Sequence, residues 1–442
     1  MSLVISFEDF TVRLRQYITV TSSPDHPDNS DADFDQLARH LFALQYANVP
    51  VYQRLCQNRG ITPETLPHWH AIPAISTSAF KGCDLSSIPP NERTHAFHSS
   101  GTTGQNHSRH FHNNSSLAIY HASLLPWFQT HFSSDRDFPS RQSSPNIGSS
   151  LHSEAAADVR ATGTSRSGLQ PSDAKKNSIE LIFLTPPPQE APHSSLIHMF
   201  ETIRVEYGGN IGSFVGKTSA DGSWILDFDQ LTQKLEAACS QNYPVGLFGT
   251  AFSFVHLLDH FEANKFSYRL PSGSRALETG GYKGRTRTLP KSGLHANITR
   301  RLAISETHIL CEYGMSELSS QAYDRVIPSL RSSQRQLAQT STLNKDQKFE
   351  PTDIGCYEIK ENINRVFHFP PWARCRVISP ETGREVAEGE TGLLCIFDLA
   401  NVYSVMAIQT EDLAVRRGSG FELVGRAPAA EPRGCSLMPA SS

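Results

Sequence analysis

Ser99, Ser100, Gly101, Thr102, Thr103 and Gly104 read "SSGTTG", two glycines bracketing small hydroxyls just ahead of a helical pattern. Glycine lets backbone N–H groups turn toward a phosphate, and Ser/Thr hydroxyls add donors without bulk. The same composition also makes ordinary turns. No Gly-Lys-Ser/Thr follows, so a Walker-type loop is disfavoured. In "CEYGMSE" a strand ends at Tyr313-Gly314, and Ser316 and Glu317 come next. The aromatic ring could stack on a base, Ser316 reach a phosphate, and Glu317 hold a hard cation such as Mg²⁺ through oxygen. The plainer reading of Glu317 is a solvated carboxylate at a strand end. Asp412 in "QTEDL" could accept from two ribose hydroxyls, and "LVGRAPAAEPRG" supplies Gly425 and Arg426 close behind it.

Eight cysteines are scattered without a C-x-x-C pair, so neither a disulfide framework nor a zinc ribbon is suggested. Cys435 in "RGCSL" has Arg433 two residues away, and a positive neighbour raises a thiol's thiolate fraction. His95, His98, His107, His110 and His112 crowd the region after residue 90, but their spacing matches no metal motif. Arg109 stands where a cation is wanted beside the phosphate loop.

Elements must bring these pieces together. "DFDQLARHLFALQ" puts Phe34, Leu37, Leu41 and Leu44 on one helical face, with Asp31 or Asp33 as cap. "NSSLAIYHASLLPWF" does the same with Leu117, Tyr120, Leu124 and Phe128, capped by Ser115 or Ser116. "IELIFLTPP", "PVGLFGT" and "THILCEYG" read as buried strands, and the helices "SSLIHMFETIRVEY", "DFDQLTQKLEAACS" and "AFSFVHLLDHFEAN" fall between them. That alternation predicts an open α/β sheet with ligands at the carboxyl ends of its strands. "ARCRVISPETGREVAEGETGLLCIF" changes to β-branched runs and turns, a smaller antiparallel β subdomain. The expected division is 1–70 helical, 71–354 an α/β core with a disordered insertion at about 133–179, 355–425 the small β subdomain, and 426–442 a cysteine-bearing tail.

At 442 residues the chain can bury a large core. The net charge of −4, with both signs interspersed, argues against a nucleic-acid partner. The start lacks a basic n-region and long apolar run, and nothing approaches a bilayer-spanning length, so a cytoplasmic protein is expected.

In order, the phosphate loop, Tyr313 to Glu317 (with Ser316 for a Thr), Asp412 and Gly425-Arg426 resemble the motifs of the adenylate-forming superfamily of acyl-CoA synthetases, luciferases and peptide-synthetase adenylation domains. A narrower resemblance, through "IPAISTSAFK", "LETGGYKGRTR", "CEYGMSELSSQAYD", "TEDL" and "GRAPAAEPRGCSL", is to the LuxE-type acyl-protein synthetases, running from about Ile72 to the end apart from the insertion. It implies an α/β fold like the large N-terminal domain of those enzymes. It further implies ATP and Mg²⁺, activation of a fatty acid to an acyl-adenylate, transfer to Cys435 as a thioester, and delivery to an acyl reductase or other acyl-accepting partner. Chemically, adenylation turns a carboxylate oxygen into a leaving group and a thiolate then keeps the acyl group reactive. Sixteen residues follow Arg426, too few for the superfamily's lysine-bearing lid domain. Lys283 or Arg285 is therefore expected to offset phosphate charge, with Gly280 and Gly281 lining the adenine site. Delivery to CoA or a carrier-protein thiol, and a non-catalytic binding homologue, stay open beside this reading.

Overall fold

The computed structural model describes residues 6–22, 31–99, 107–132, 179–208, 212–220, 222–280, 289–324 and 365–427. Ser100 to Gly104, Gly281, Lys283, Arg285, Cys435 and the insertion expected near 133–179, save Ile179, lie outside them.

Three helices open the chain: α1 (Phe7–Thr21), α2 (Asp31–Asn48) and α3 (Pro50–Asn58). Ser6 starts α1 with a capping box, accepting from Asp9 N at 3.1 Å while its own N–H reaches Asp9 Oδ2. The stretch "IPAISTSAFK" contributes a short strand, β1 (Ile75–Ser76). A hairpin follows, β2 (His95–His98) and β3 (Arg109–His112), leading into α5, which follows a one-turn α4 (Ala79–Gly82) in the chain count and spans Asn114–Phe132. Asn113, rather than Ser115 or Ser116, caps α5: its Oδ1 accepts from Ser116 N at 2.9 Å and its N–H donates back to Ser116 Oγ. A short polar side chain just ahead of the helix is better placed, because the cap must stand outside it.

The α/β layer then alternates as expected: β4 (Glu180–Phe183), α6 (Ser195–Ile203), β5 (Ser213–Phe214), a small hairpin of β6 (Gly216–Thr218) and β7 (Trp224–Leu226), α7 (Phe228–Gln241), β8 (Val245–Thr250), α8 (Ala251–Ala263), β9 (Arg275–Thr279), α9 (Lys291–Leu302), β10 (Ile309–Tyr313) and β11 (Ala322–Tyr323). The sheet runs β11-β10-β9-β8-β4-β5, parallel throughout except for β11. Strand alternation divides its side chains between two helical layers. Ile182, Leu247, Ala276 and Ile309 pack on α7, α8 and α9, whereas Leu181, Phe248, Leu277 and Leu310 pack on α5 and α6.

A second sheet holds β12 (Ala373–Ile378), β13 (Thr391–Asp398), β14 (Ala407–Arg417) and β15 (Gly420–Arg426), all antiparallel. β1 joins it in parallel with β14, so residue 75 and residue 408 stand side by side. One core binds this sheet to the opening helices: Phe10, Leu14, Phe34 and Phe42 share it with Ile396, Phe397, Ile408 and Phe421. Among the described residues no helix is long and apolar enough to cross a membrane.

Candidate active site

The carboxyl ends of β9 and β10 open into a cavity of about 770 Å³, where an open α/β sheet is expected to hold its ligand. Thr279, Gly280, Glu312, Tyr313, Ser316 and Glu317 line it from the central sheet. Asp412 and Arg426 line it from the second.

One end is built from both sheets. Asp412 and Arg426 are directly opposite each other in the β14–β15 ladder, and Arg426 Nε lies 3.2 Å from Asp412 Oδ1. Tyr313 Oη donates to Asp412 Oδ2 at 2.7 Å. Burial, followed by the Asp412 carboxylate, drives the Tyr313 hydroxyl well above the usual tyrosine range, so it stays a donor. The Tyr313 ring meets Phe367, Phe369 and Phe421 edge-on. Gly280, at a positive φ of 67°, completes this end. Tyrosine, aspartate, arginine and glycine together offer a flat apolar wall beside a fixed carboxylate, a fit for a base and its ribose.

Across the middle lie Ser99, Ser316 and Glu317. Glu317 is not the solvated strand-end carboxylate of the plainer reading: it is 1% exposed, and its two oxygens accept from Ser108 Oγ at 2.7 Å and Ser316 Oγ at 3.0 Å. Ser99 Oγ accepts from Ser108 N at 3.0 Å, so Ser108, just ahead of β3, ties the start of the expected phosphate loop to Glu317 of the Tyr-Gly-Met-Ser-Glu turn. His110 shares a hydrogen bond with the Ser316 carbonyl at 2.9 Å and is pushed down to about 4 by burial. It is a neutral, buried residue that braces the Ser316 carbonyl. His98 and His107 line the cavity, and His112 is buried behind it.

The third region is half apolar. Ala191, Pro192, Leu196, Met199 and Trp224 form its wall, and Tyr120, Gln321 and Glu312 face it.

Several residues that matter here carry no motif. Asp398 is fully buried and accepts from Ser319 N, Ser320 N, Ser320 Oγ and Ala400 N, all between 2.7 and 2.9 Å. Asn401 donates to the Glu317 carbonyl at 2.8 Å. The second sheet thus grips the turn that presents Ser316 and Glu317. Behind the Tyr313–Asp412 end, Glu278 accepts from Cys311 Sγ at 2.9 Å and pairs with His295 Nε2 at 3.3 Å. Burial pushes its carboxyl up, but the His295 hydrogen bond and the Lys291 charge outweigh that and hold it at about 2. Glu278 stands within "LETGGYKGRTR", but its pairing shows only through the partners that touch it in space.

No protein-family model matches the chain. A segment of 83 residues is 32% identical to the long-chain-fatty-acid–luciferin-component ligase of Aliivibrio fischeri, covering 17% of this chain and 22% of that protein. The matched segment therefore spans about a fifth of that ligase. Among solved structures, the open conformation of 2-hydroxyisobutyryl-CoA ligase in complex with 2-HIB-AMP and CoA matches with a TM-score of 0.53 at 12% identity, over 92% of this chain and 81% of that one. The thioesterification state of the same ligase gives 0.53 over 92% and 73%. The fold is that of the adenylate-forming ligases. Within the adenylate-forming fold, the expected α/β class holds, and the motif residues Ser99, Gly280, Tyr313, Gly314, Ser316, Glu317, Asp412 and Arg426 line one cavity.

Proposed function

We propose that the chain activates a fatty acid with ATP and transfers the acyl group to its own Cys435 for delivery to an acyl reductase or other acyl-accepting protein. The observation carrying this reading is the joint placement of Tyr313, Asp412 and Arg426 at one end of a cavity whose middle holds Ser316 and Glu317.

Each group then has a task. Asp412, held by Tyr313 and Arg426, orients the ribose. The Ser316 and Ser99 hydroxyls, with Ser100, Gly101, Thr102, Thr103 and Gly104 of the loop that continues from Ser99, cradle the phosphates. Gly280 and Gly281 line the adenine. Lys283 and Arg285 offset the charge that develops on the α-phosphate as the substrate carboxylate oxygen attacks and pyrophosphate departs. Glu317 fits a Mg²⁺ ligand, since a carboxylate flanked by two serine hydroxyls is an all-oxygen donor set. Bound there, Mg²⁺ would neutralise phosphate oxygens. The Cys435 thiolate next attacks the acyl carbonyl and AMP leaves. Cys435 follows Ala427 by eight residues, at most roughly 28 Å of extended chain, so the cavity is within its reach. The same reading divides the chain at about 70, 354 and 425 and places the enzyme in the cytoplasm, with its ATP.

Incubation with ATP, Mg²⁺ and labelled fatty acid tests this. Label should appear on the protein, be released by hydroxylamine and vanish in Cys435→Ser. Label that survives the substitution would sink the Cys435 role, and pyrophosphate release with no label on the protein would leave CoA or a carrier-protein thiol as the acceptor. No pyrophosphate release with any acid would leave a binding homologue.

A further inference from the structure

With the nucleoside end and the phosphate middle assigned, the acid must enter the region lined by Leu196, Met199, Trp224, Tyr120, Gln321 and Glu312. This inference rests on that reading of the cavity. A plain alkyl chain needs apolar walls throughout, because burying an unpaired polar group costs free energy that an alkyl group cannot return. Here the far side is polar. Glu312 lies two residues beyond Leu310 on β10, so strand alternation turns it to the α5 and α6 face, where the apolar wall is. Its Oε2 accepts a hydrogen bond from Thr279 Oγ1, the neighbouring strand's residue on the same face. Its Oε1 has no hydrogen-bond donor among the described residues. A Cβ on Gly314 would run into Oε1, so the glycine keeps that oxygen uncovered.

Tyr120 adds to this polar floor. Its hydroxyl accepts from Gln321 Nε2 at 3.3 Å and donates to no acceptor among the described residues. Burial raises the Glu312 carboxyl to about 7, with Glu278 adding to the rise and the Thr279 hydrogen bond opposing it. Ionised, the carboxyl presents Oε1 to the cavity as an acceptor that no donor among the described residues satisfies.

We infer that Glu312 is a specificity-determining residue whose free oxygen selects an acid carrying a hydrogen-bond donor, a hydroxyl or an ammonium, on the part of its chain that enters this region. A site built to pair such a donor rejects the analogue lacking it far more strongly than an apolar pocket rejects one extra methylene.

The test is ATP-dependent pyrophosphate release, and acid binding by calorimetry, with octanoate against octanoates bearing one hydroxyl or one amino group at the second, third or terminal carbon. At least one substituted acid should exceed octanoate by tenfold or more in kcat/KM. Glu312→Leu should abolish that preference. Glu312→Gln keeps an acceptor without the charge, so it should keep a hydroxyl preference and lose an amino preference, which identifies the donor. Octanoate used as well as or better than every substituted acid overturns the inference and leaves acid activation standing. A preference that persists in Glu312→Leu also overturns it. Failure of every acid, octanoate included, sinks the acid-activating reading and this inference with it.

Discussion

Tyr313 Oη donates to Asp412 Oδ2 across 2.7 Å, and this bond joins the last residue of β10 in the central sheet to β14 in the second sheet. It spans 99 residues of sequence and ends on the carboxylate assigned to the ribose. Hydrogen bonds to charged groups are worth about 1.5–3 kcal/mol, or roughly a tenfold to hundredfold change in affinity. Asp412→Asn should raise the KM for ATP by about that factor. Tyr313→Phe, which leaves Arg426 in place, should raise it less. Equal KM values for ATP in wild type and Asp412→Asn would remove the ribose role.

Glu317 makes a second prediction. Glu317→Gln keeps the shape but removes the charge that faces Ser108 and Ser316. Pyrophosphate release should fall by about a hundredfold, and the Mg²⁺ concentration needed for half-activity should rise. Thermal stability measured alongside separates this from unfolding. A variant with normal Mg²⁺ dependence would take the metal role away from Glu317.

The buried Glu312 carboxyl ties stability to pH. Its ordinary value is 4.5 and its value in the folded protein about 7, so the folded state holds the proton more tightly than the unfolded chain. Stability from this group is intact below about 4.5, falls as pH rises toward 7 and is then flat, a loss of about 3 kcal/mol. Glu312→Gln should therefore be more stable than wild type at pH 8 by up to that amount and comparable at pH 4.5. Denaturant unfolding at both values checks it, and two parallel curves would show that Glu312 ionises freely.

Asp398 holds the backbone that follows Ser316 and Glu317. Asp398→Ala would leave the Ser319, Ser320 and Ala400 N–H groups buried without their acceptor. Unsatisfied buried donors cost about 1–3 kcal/mol each, so the variant should lose about 3 kcal/mol or more in urea unfolding. Asp398→Asn should lose less. A loss under about 1 kcal/mol would mean that water replaces the carboxylate.

The alternating apolar runs of β4, β8 and β10 made the central sheet legible, because a buried strand flanked by amphipathic helices writes its period into the chain. Ser99, Tyr313, Glu317, Asp412 and Arg426 stood out for a different reason: their types and order resemble a nucleotide motif, and the structure brings them to one cavity. Glu312 stood within "CEYGMSE" and still escaped notice, since its meaning depends on Thr279, Gly314 and Tyr120 in space. Ser108 and Asp398 were hidden likewise, as acceptors and donors for segments more than 70 residues distant. The strand at Ile75–Ser76 has too few residues to show a period, and only β14 makes them a strand.

The shared core of the opening helices and the second sheet has a consequence for how the protein is made. Phe10, Leu14, Phe34 and Phe42 find their apolar partners in Ile396, Phe397, Ile408 and Phe421, and β1 has its neighbour in β14. On the ribosome, those early side chains emerge hundreds of residues before anything exists to cover them. The central sheet, from residue 180 to residue 323, can assemble meanwhile from neighbours in sequence. Synthesis thus leaves the first helices exposed for most of translation, and a chaperone that binds nascent apolar segments has its longest opportunity at the end of the chain made first.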